Sequence, residues 1–179
     1  TNVLTNSADL PGIIVDPGEG ANQYGHYYGT IEDKLKFHTS LGTPNSITAF
    51  TSQITNLEAG TKYFFYAYIT DGQDNVLGKE KSFTTVAATA PTLSTTAVTS
   101  ITLTGAVSGG NITSDGGAPV TAGGVCWNSF TAPTTSNNKT TDATGTGTFT
   151  STLTGLTAGS TYFLRAYATN SAGTTYGNE

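Results

Sequence analysis

The chain has 179 residues, a formal net charge of −5 and only 11% charged residues. It has no basic stripe to neutralise phosphates, which argues against nucleic-acid binding, and no apolar run approaches the ~20 residues of a membrane-spanning helix. The 36% hydrophobic content, with nine Tyr and eight Phe, fills small cores and is not the composition of a disordered chain. Methionine is absent and Lys, Arg, Glu and Gln are few, so helix formers are scarce. Thr, Val, Ile, Tyr and Phe favour strands, and Gly, Asn, Asp and Pro fall at turn-like intervals. The prediction is all-β. With no signal peptide and no initiator Met, the sequence reads as a segment of a longer or processed chain. Cys126 has no partner for an internal disulfide, which is compatible with a bacterial exterior.

In chain order, residues 7–15 read as a strand with Leu10 and Ile13 as core candidates, followed by an Asp16–Gly20 turn cluster. Residues 23–30 form an aromatic strand with Tyr24, His26, Tyr27 and Tyr28. The stretch 31–37 is ambiguous and too short to read as a helix. Residues 46–55 alternate through Ile47, Ala49 and Ile54 and read as a strand. Residues 62–70 form the central strand, and residues 71–75 a hairpin loop. Residues 77–84 return as the last strand, with Phe83 facing in. After the connector 84–91, which Pro91 stiffens, the clearer strands are 100–107, 120–129, 147–154 and 161–169. Gly109–Asn111 and Ser114–Gly117 read as loops and residues 128–138 as a polar connection. Tyr176–Glu179 reads as the start of a last strand.

The chain repeats itself. Every residue from Phe50 to Glu80 stands 99 positions before a counterpart in Phe149 to Glu179, without a gap. Identical pairs include Ser52/Ser151, Leu57/Leu156, Gly60/Gly159, Tyr63/Tyr162, Ala67/Ala166 and Tyr68/Tyr167. The starts of the copies align at a smaller offset, Asn6–Gly12 against Thr99–Gly105, which places a few extra residues in the middle of the second copy. A period near 90–100 residues is too long for a solenoid and fits tandem sandwiches. The expected domains are 1–86 and 87–179. No counterpart of Lys81–Thr85 occurs in the second copy. The plainer account is truncation or disorder; the sharper one is a strand donated by a neighbouring subunit.

The pattern Leu-x-Ala-Gly-Thr/Ser-x-Tyr-x-Φ-x-Ala resembles the corner before the sixth strand of fibronectin type III domains. The resemblance implies two tandem antiparallel β-sandwiches of fibronectin type III or immunoglobulin-like kind. It also implies a structural tyrosine corner in each, with Leu57 and Tyr63 in the first and Leu156 and Tyr162 in the second. Ala59 and Ala158 stand where the family usually has Pro. The run Gly123–Asn128, then Lys139–Thr141 and Tyr167–Gly173, looks like a bacterial branch of this family. That branch occurs as tandem repeats in long secreted or surface-anchored proteins, including adhesins. The expected role is a non-catalytic, rod-like spacer of an extracellular protein, with neighbouring repeats as its partners.

Only His26 and His38 supply imidazoles, and the acids are scattered, so no acid, base and nucleophile converge on a catalytic site. No cofactor and no metal site is expected. Asp71–Asn75, and Asp16 with Glu19, offer oxygens that calcium could use, but they read as solvated turn residues. Cys126 reads as packing rather than redox chemistry. If Tyr63, Phe65 and Ala67 point inward, period 2 sends Phe64, Tyr66 and Tyr68 outward, joined by Tyr27 or Tyr28 according to register. Such a face can stack on sugar rings or a protein partner; the plainer reading is cross-strand pairs that stiffen the sheet. Two further readings therefore stand beside the spacer: a glycan- or protein-binding module, and a self-assembling filament subunit completed by strand donation.

Overall fold

A computed structural model describes residues 2–44 and 46–179 of the chain. The described residues contain strands and turns and no helix. They fall into two compact units, Thr1–Ala87 and Ala88–Glu179.

In the first unit, β1 (Ser7–Ile14) pairs antiparallel with β4 (Thr48–Thr55) as one sheet. The facing sheet runs β3 (Phe37–His38), β2 (Gln23–Gly29), β5 (Lys62–Thr70). Both β6 (Asn75–Leu77) and β7 (Lys81–Thr84) pair with the far edge of β5. Ala8, Leu10, Ile54, Leu57, Tyr63 and Phe65 fill the space between, with Phe83 packed against them. Ile13 is 65% exposed, not core. Pleating turns Ala8, Leu10 and Ile14 inward, and Ile13 has the other parity. Ile47 is likewise exposed, and the inward residues of β4 are Phe50, Ser52 and Ile54. The expected single return strand 77–84 is interrupted at Gly78–Glu80, so two short strands replace it.

In the second unit, β8 (Thr92–Thr99), β9 (Gly105–Ser114) and β12 (Gly147–Thr154) form one sheet in the order β12-β9-β8. The other runs β11 (Asn138–Lys139), β10 (Ala122–Asn128), β13 (Phe163–Asn170), β14 (Gly173–Tyr176). The expected strand 100–107 is corrected: residues 100–104 are the connection between β8 and β9. Gly109 and Gly110 lie within β9 rather than in a loop. A Cβ on Gly110 would meet the Phe149 ring and Ala166, and one on Gly109 the Phe149 carbonyl. These glycines mark close approach, not a turn. The residues Tyr176–Glu179 are the end of β14 and an irregular tail.

Pairing corrects the alignment of the two copies. Ser7 opposes Thr55 and Gly105 opposes Thr154, so β1 matches β9 at an offset of 98. β2 matches β10 at 99, since Tyr27 opposes Tyr66 and Cys126 opposes Arg165. The copies are nearly colinear. The second copy gains one residue between β9 and β10, and its connection from β10 to β11 is two residues longer, as the pairings Tyr28–Phe37 and Trp127–Asn138 require, while the stretch from β11 to β12 is two residues shorter.

Candidate functional site

The corner before β5 decides which side chains face out. Leu57 plugs the core, and Gly60 takes φ 64°, a left-handed conformation that a β-carbon resists. Tyr63 then enters β5 with its hydroxyl accepting the Glu58 N–H at 3.0 Å. The second unit repeats this: Gly159 has φ 75°, and Tyr162 accepts the Thr157 N–H at 3.1 Å. With Tyr63 and Phe65 pinned inward, Phe64, Tyr66 and Tyr68 leave on the opposite face.

Register decides which residue of β2 joins them. Tyr27 opposes Tyr66 and shares the outward face. Tyr28 opposes Phe65 and packs against the core cluster, so it is corrected out of the outward set. Tyr27 meets Tyr66 at 5.7 Å between centroids, Tyr68 at 4.6 Å and His38 at 5.6 Å. Phe64 lies beside this cluster with the Lys62 ammonium 4.7 Å above its ring. Tyr27, Phe64 and Tyr66 are half-buried, and His38 is exposed. Burial first, then Tyr27, Glu80 and Asp33, push the Tyr66 phenol above its ordinary pKa, so its hydroxyl stays a donor at neutral pH.

Tyr68 is outward by parity but only 3% exposed, so it is corrected from an open binding residue to a buried one. Its hydroxyl donates to the Thr39 carbonyl at 2.8 Å. That carbonyl lies where a Cβ on Gly25 would stand. The chain beyond β3 thus crosses over Gly25 and is held by Tyr68. Tyr167, Thr140 and Gly124 repeat the device, with a hydroxyl–carbonyl distance of 2.7 Å. A buried polar bridge completes it: Thr39 Oγ1 meets Ser52 Oγ at 2.8 Å, and Thr140 Oγ1 donates to Ser151 Oγ at 3.0 Å, tying the edge strand to the other sheet. In the first unit His26 joins through Nδ1 to Ser52 at 2.9 Å and Nε2 to the Pro11 carbonyl at 3.2 Å. Burial lowers its pKa, the Pro11 carbonyl offsets this in part, and Lys81 lowers it further. In the second unit Val125 takes the place of His26, and Ser151 donates to Asp142 instead.

The two outward faces differ. Cys126 stands in the place of Tyr27 and Arg165 in that of Tyr66. Arg165 stacks its guanidinium 4.1 Å from the Tyr176 centroid, and its Nε donates to the Pro133 carbonyl at 2.6 Å. Tyr176 in turn accepts the Thr135 N–H at 3.2 Å. The longer connection from β10 is thereby folded over the sheet, and Cys126 lies buried under Pro133 with its thiol pKa raised, chiefly by desolvation. An open aromatic face belongs to the first unit alone.

No group of three or more His, Cys, Asp or Glu is placed to hold a metal among the described residues. Asp71 uses one carboxylate oxygen to accept the N–H groups of Gln73 and Asp74, both at 2.8 Å. That is an Asx-type turn, and it lowers the Asp71 pKa through those two bonds.

No protein-family model matches the chain, and no curated protein matches it. Among solved structures it is similar to a two-domain fibronectin type III segment from chicken tenascin, at 17% identity over 98% of this chain and 90% of that one, with a TM-score of 0.42. It is also similar to the FN1–FN3 domains of chicken CNTN1, at 13% identity over 88% of this chain and 53% of that one, with a TM-score of 0.40. A third is the A168–A170 segment from titin, at 16% identity over 98% and 57%, with a TM-score of 0.39. These are likenesses of fold. This chain is an all-β tandem of antiparallel sandwiches.

Proposed function

We propose that the chain is a non-catalytic structural segment of a secreted or surface-anchored bacterial protein of the adhesin type, built by repetition of one sandwich. The observation that supports this is duplication of the scaffold without duplication of the exposed chemistry. The tyrosine corner, the Gly25/Gly124 crossing and the Thr–Ser bridge all recur, whereas Tyr27 and Tyr66 become Cys126 and Arg165. Residues retained in both copies are those that hold strands together. Single-molecule extension of the full chain between flanking handles tests the reading. Two unfolding steps are expected, each releasing roughly 300 Å for a unit of this length. One step releasing the whole contour would overturn it. Antibody labelling of intact source cells tests the location, and signal confined to lysed cells would place the protein elsewhere.

The open aromatic face supports a second reading, in which the first unit binds a glycan or protein through Phe64, Tyr66 and Tyr27. Tyr27 and Tyr66, inclined at 50° to each other across two strands, give an apolar surface that also carries hydroxyl donors. On a glycan array, binding that is lost in Tyr66→Ala supports this reading. Binding that persists in the double variant Tyr27→Ala/Tyr66→Ala removes it.

A further inference from the structure

Two basic side chains of this chain already sit on aromatic rings. The Lys62 ammonium lies 4.7 Å above the Phe64 ring, and the Arg165 guanidinium 4.1 Å from the Tyr176 centroid. Arg165 is also held by the connection from β10: its Nε donates to the Pro133 carbonyl, and its Nη2 donates to the Ala132 carbonyl at 3.4 Å. The Ala132 N–H in turn donates to the Glu179 carboxylate. In the second unit a guanidinium thus fills the space between the sheet and a connection that a glutamate latches down.

The first unit has the same frame without the cation. Glu80 stands 99 residues before Glu179, and its carboxylate accepts the Asp33 N–H at 3.3 Å, from the connection between β2 and β3. Leu35 lies over Gly29, which shares the outward face with Tyr27, so this connection also folds onto the sheet. Beside it stand Tyr66, in the place of Arg165, and Tyr27, in that of Cys126. Lys62 already occupies the Phe64 ring, which leaves Tyr27 and Tyr66 as rings of this face without a cation among the described residues. Tyr27 is inclined at 50° to Tyr66 and at 45° to His38. Inclined rings present their π faces to a compact cation better than they stack together on one flat sugar ring. The charge agrees. Burial and Tyr27 raise the Tyr66 pKa most, and the ionised groups that add to the rise are both acids, Glu80 and Asp33.

We propose that the outward face of the first unit binds an arginine side chain of another protein. The guanidinium stacks on Tyr66 beside Tyr27 and pairs with the carboxylates of Glu80 and Asp33. Arginine fits better than lysine because its planar fork stacks on a ring and also bonds two carboxylate oxygens at once. The only arginine of this chain is Arg165, which is engaged within its own unit, so a second copy cannot supply the residue. The two carboxylates and the chain's net charge of −5 disfavour acidic ligands and favour a basic partner. The inference rests on the reading of this face as a binding surface and gives that surface a partner, a protein that presents an arginine on an exposed segment.

The test titrates the isotope-labelled full chain with the peptide acetyl-Gly-Gly-Arg-Gly-Gly-amide, and with the same peptide carrying citrulline, which keeps the planar shape and removes the charge. Expected are saturable shifts at Tyr27, Tyr66, Asp33 and Glu80, about tenfold weaker binding of the citrulline peptide, and weaker binding of the arginine peptide as salt rises to about 0.5 M. Tyr66→Leu and Glu80→Gln should each weaken the arginine peptide while their melting curves show a folded first unit; Gln keeps an acceptor for the Asp33 N–H. No response at tens of millimolar peptide, an equal response to both peptides, or a response unchanged in both variants overturns the proposal. The glycan array is read separately. Neutral glycans bound there and lost in Tyr66→Ala, with a silent arginine peptide, would keep the face as a binding surface and remove the arginine.

Discussion

The tyrosine corners make an internal comparison, because one motif sits in two degrees of burial. In Tyr63→Phe the ring still stacks on Phe83, and only the acceptor of the Glu58 N–H is removed. Tyr63 is 5% exposed and the bond is partly buried, so water replaces the hydroxyl poorly. The expected loss is about 1–2 kcal/mol, a net hydrogen bond plus part of the cost of a stranded donor. For a unit of this size that lowers the melting midpoint by roughly 4–15 °C. In Tyr162→Phe the same bond is lost beside an exposed Thr157, where water satisfies the amide, so the loss is smaller. Calorimetry of the full chain measures both, with the second-unit transition identified by Trp127 emission. Amide exchange at Glu58 should accelerate in the first variant. If Tyr162→Phe destabilises its unit as much as Tyr63→Phe does, burial is not what sets the strength of the corner, and the reasoning fails.

Three further outcomes are expected. The folded pKa of His26 lies below 6.5, so as pH falls below 6.5 the unfolded first unit takes up a proton that the folded one refuses. Its stability is fully present above that pH and declines toward the folded pKa, by at most about 1.4 kcal/mol per pH unit, and denaturant titrations should show this slope removed in His26→Val. Gly25→Ala drives a Cβ into the Thr39 carbonyl and should cost about 1–3 kcal/mol, with β3 losing amide protection first; undiminished protection there would sink the crossing argument. A chelator should leave both melting midpoints unchanged, since the Asp71 carboxylate is engaged by its own loop; a fall in the first-unit midpoint would restore calcium.

Local pattern carried much of the fold. β5 and β12 have the limits read from the sequence, because alternation and the corner motif lie within a dozen residues of each other. β8 and the middle of β9 were not legible. Gly109 and Gly110 look like turn punctuation until Phe149 is known to lie across them, a contact nearly forty residues away in sequence. The outward direction of Phe64 and Tyr66 follows from parity alone, whereas the choice of Tyr27 over Tyr28 needed the register of β2 against β5. Burial of Tyr68 depends on Thr39 passing over Gly25, which no periodicity encodes. The usable signal was the repeat itself: Gly25/Gly124, Ser52/Ser151 and Tyr68/Tyr167 are retained together, and the structure joins all three to Thr39 or Thr140.

The same comparison separates the two sheet faces, open in the first unit and closed in the second. In the first, Phe83 and Thr85 close the side of the core next to the corner, while Tyr27 and Tyr66 stay open on the sheet. In the second, Arg165, Pro133 and Tyr176 close the sheet face. One exchange, Tyr66 for Arg165, works only with the longer connection that brings Pro133 and Thr135 over the sheet. Shortening that connection by the two extra residues should release Arg165 and uncover Cys126, and the thiol's reactivity toward a maleimide measures this. A thiol that stays unreactive would mean the face is closed by packing that does not depend on the connection's length.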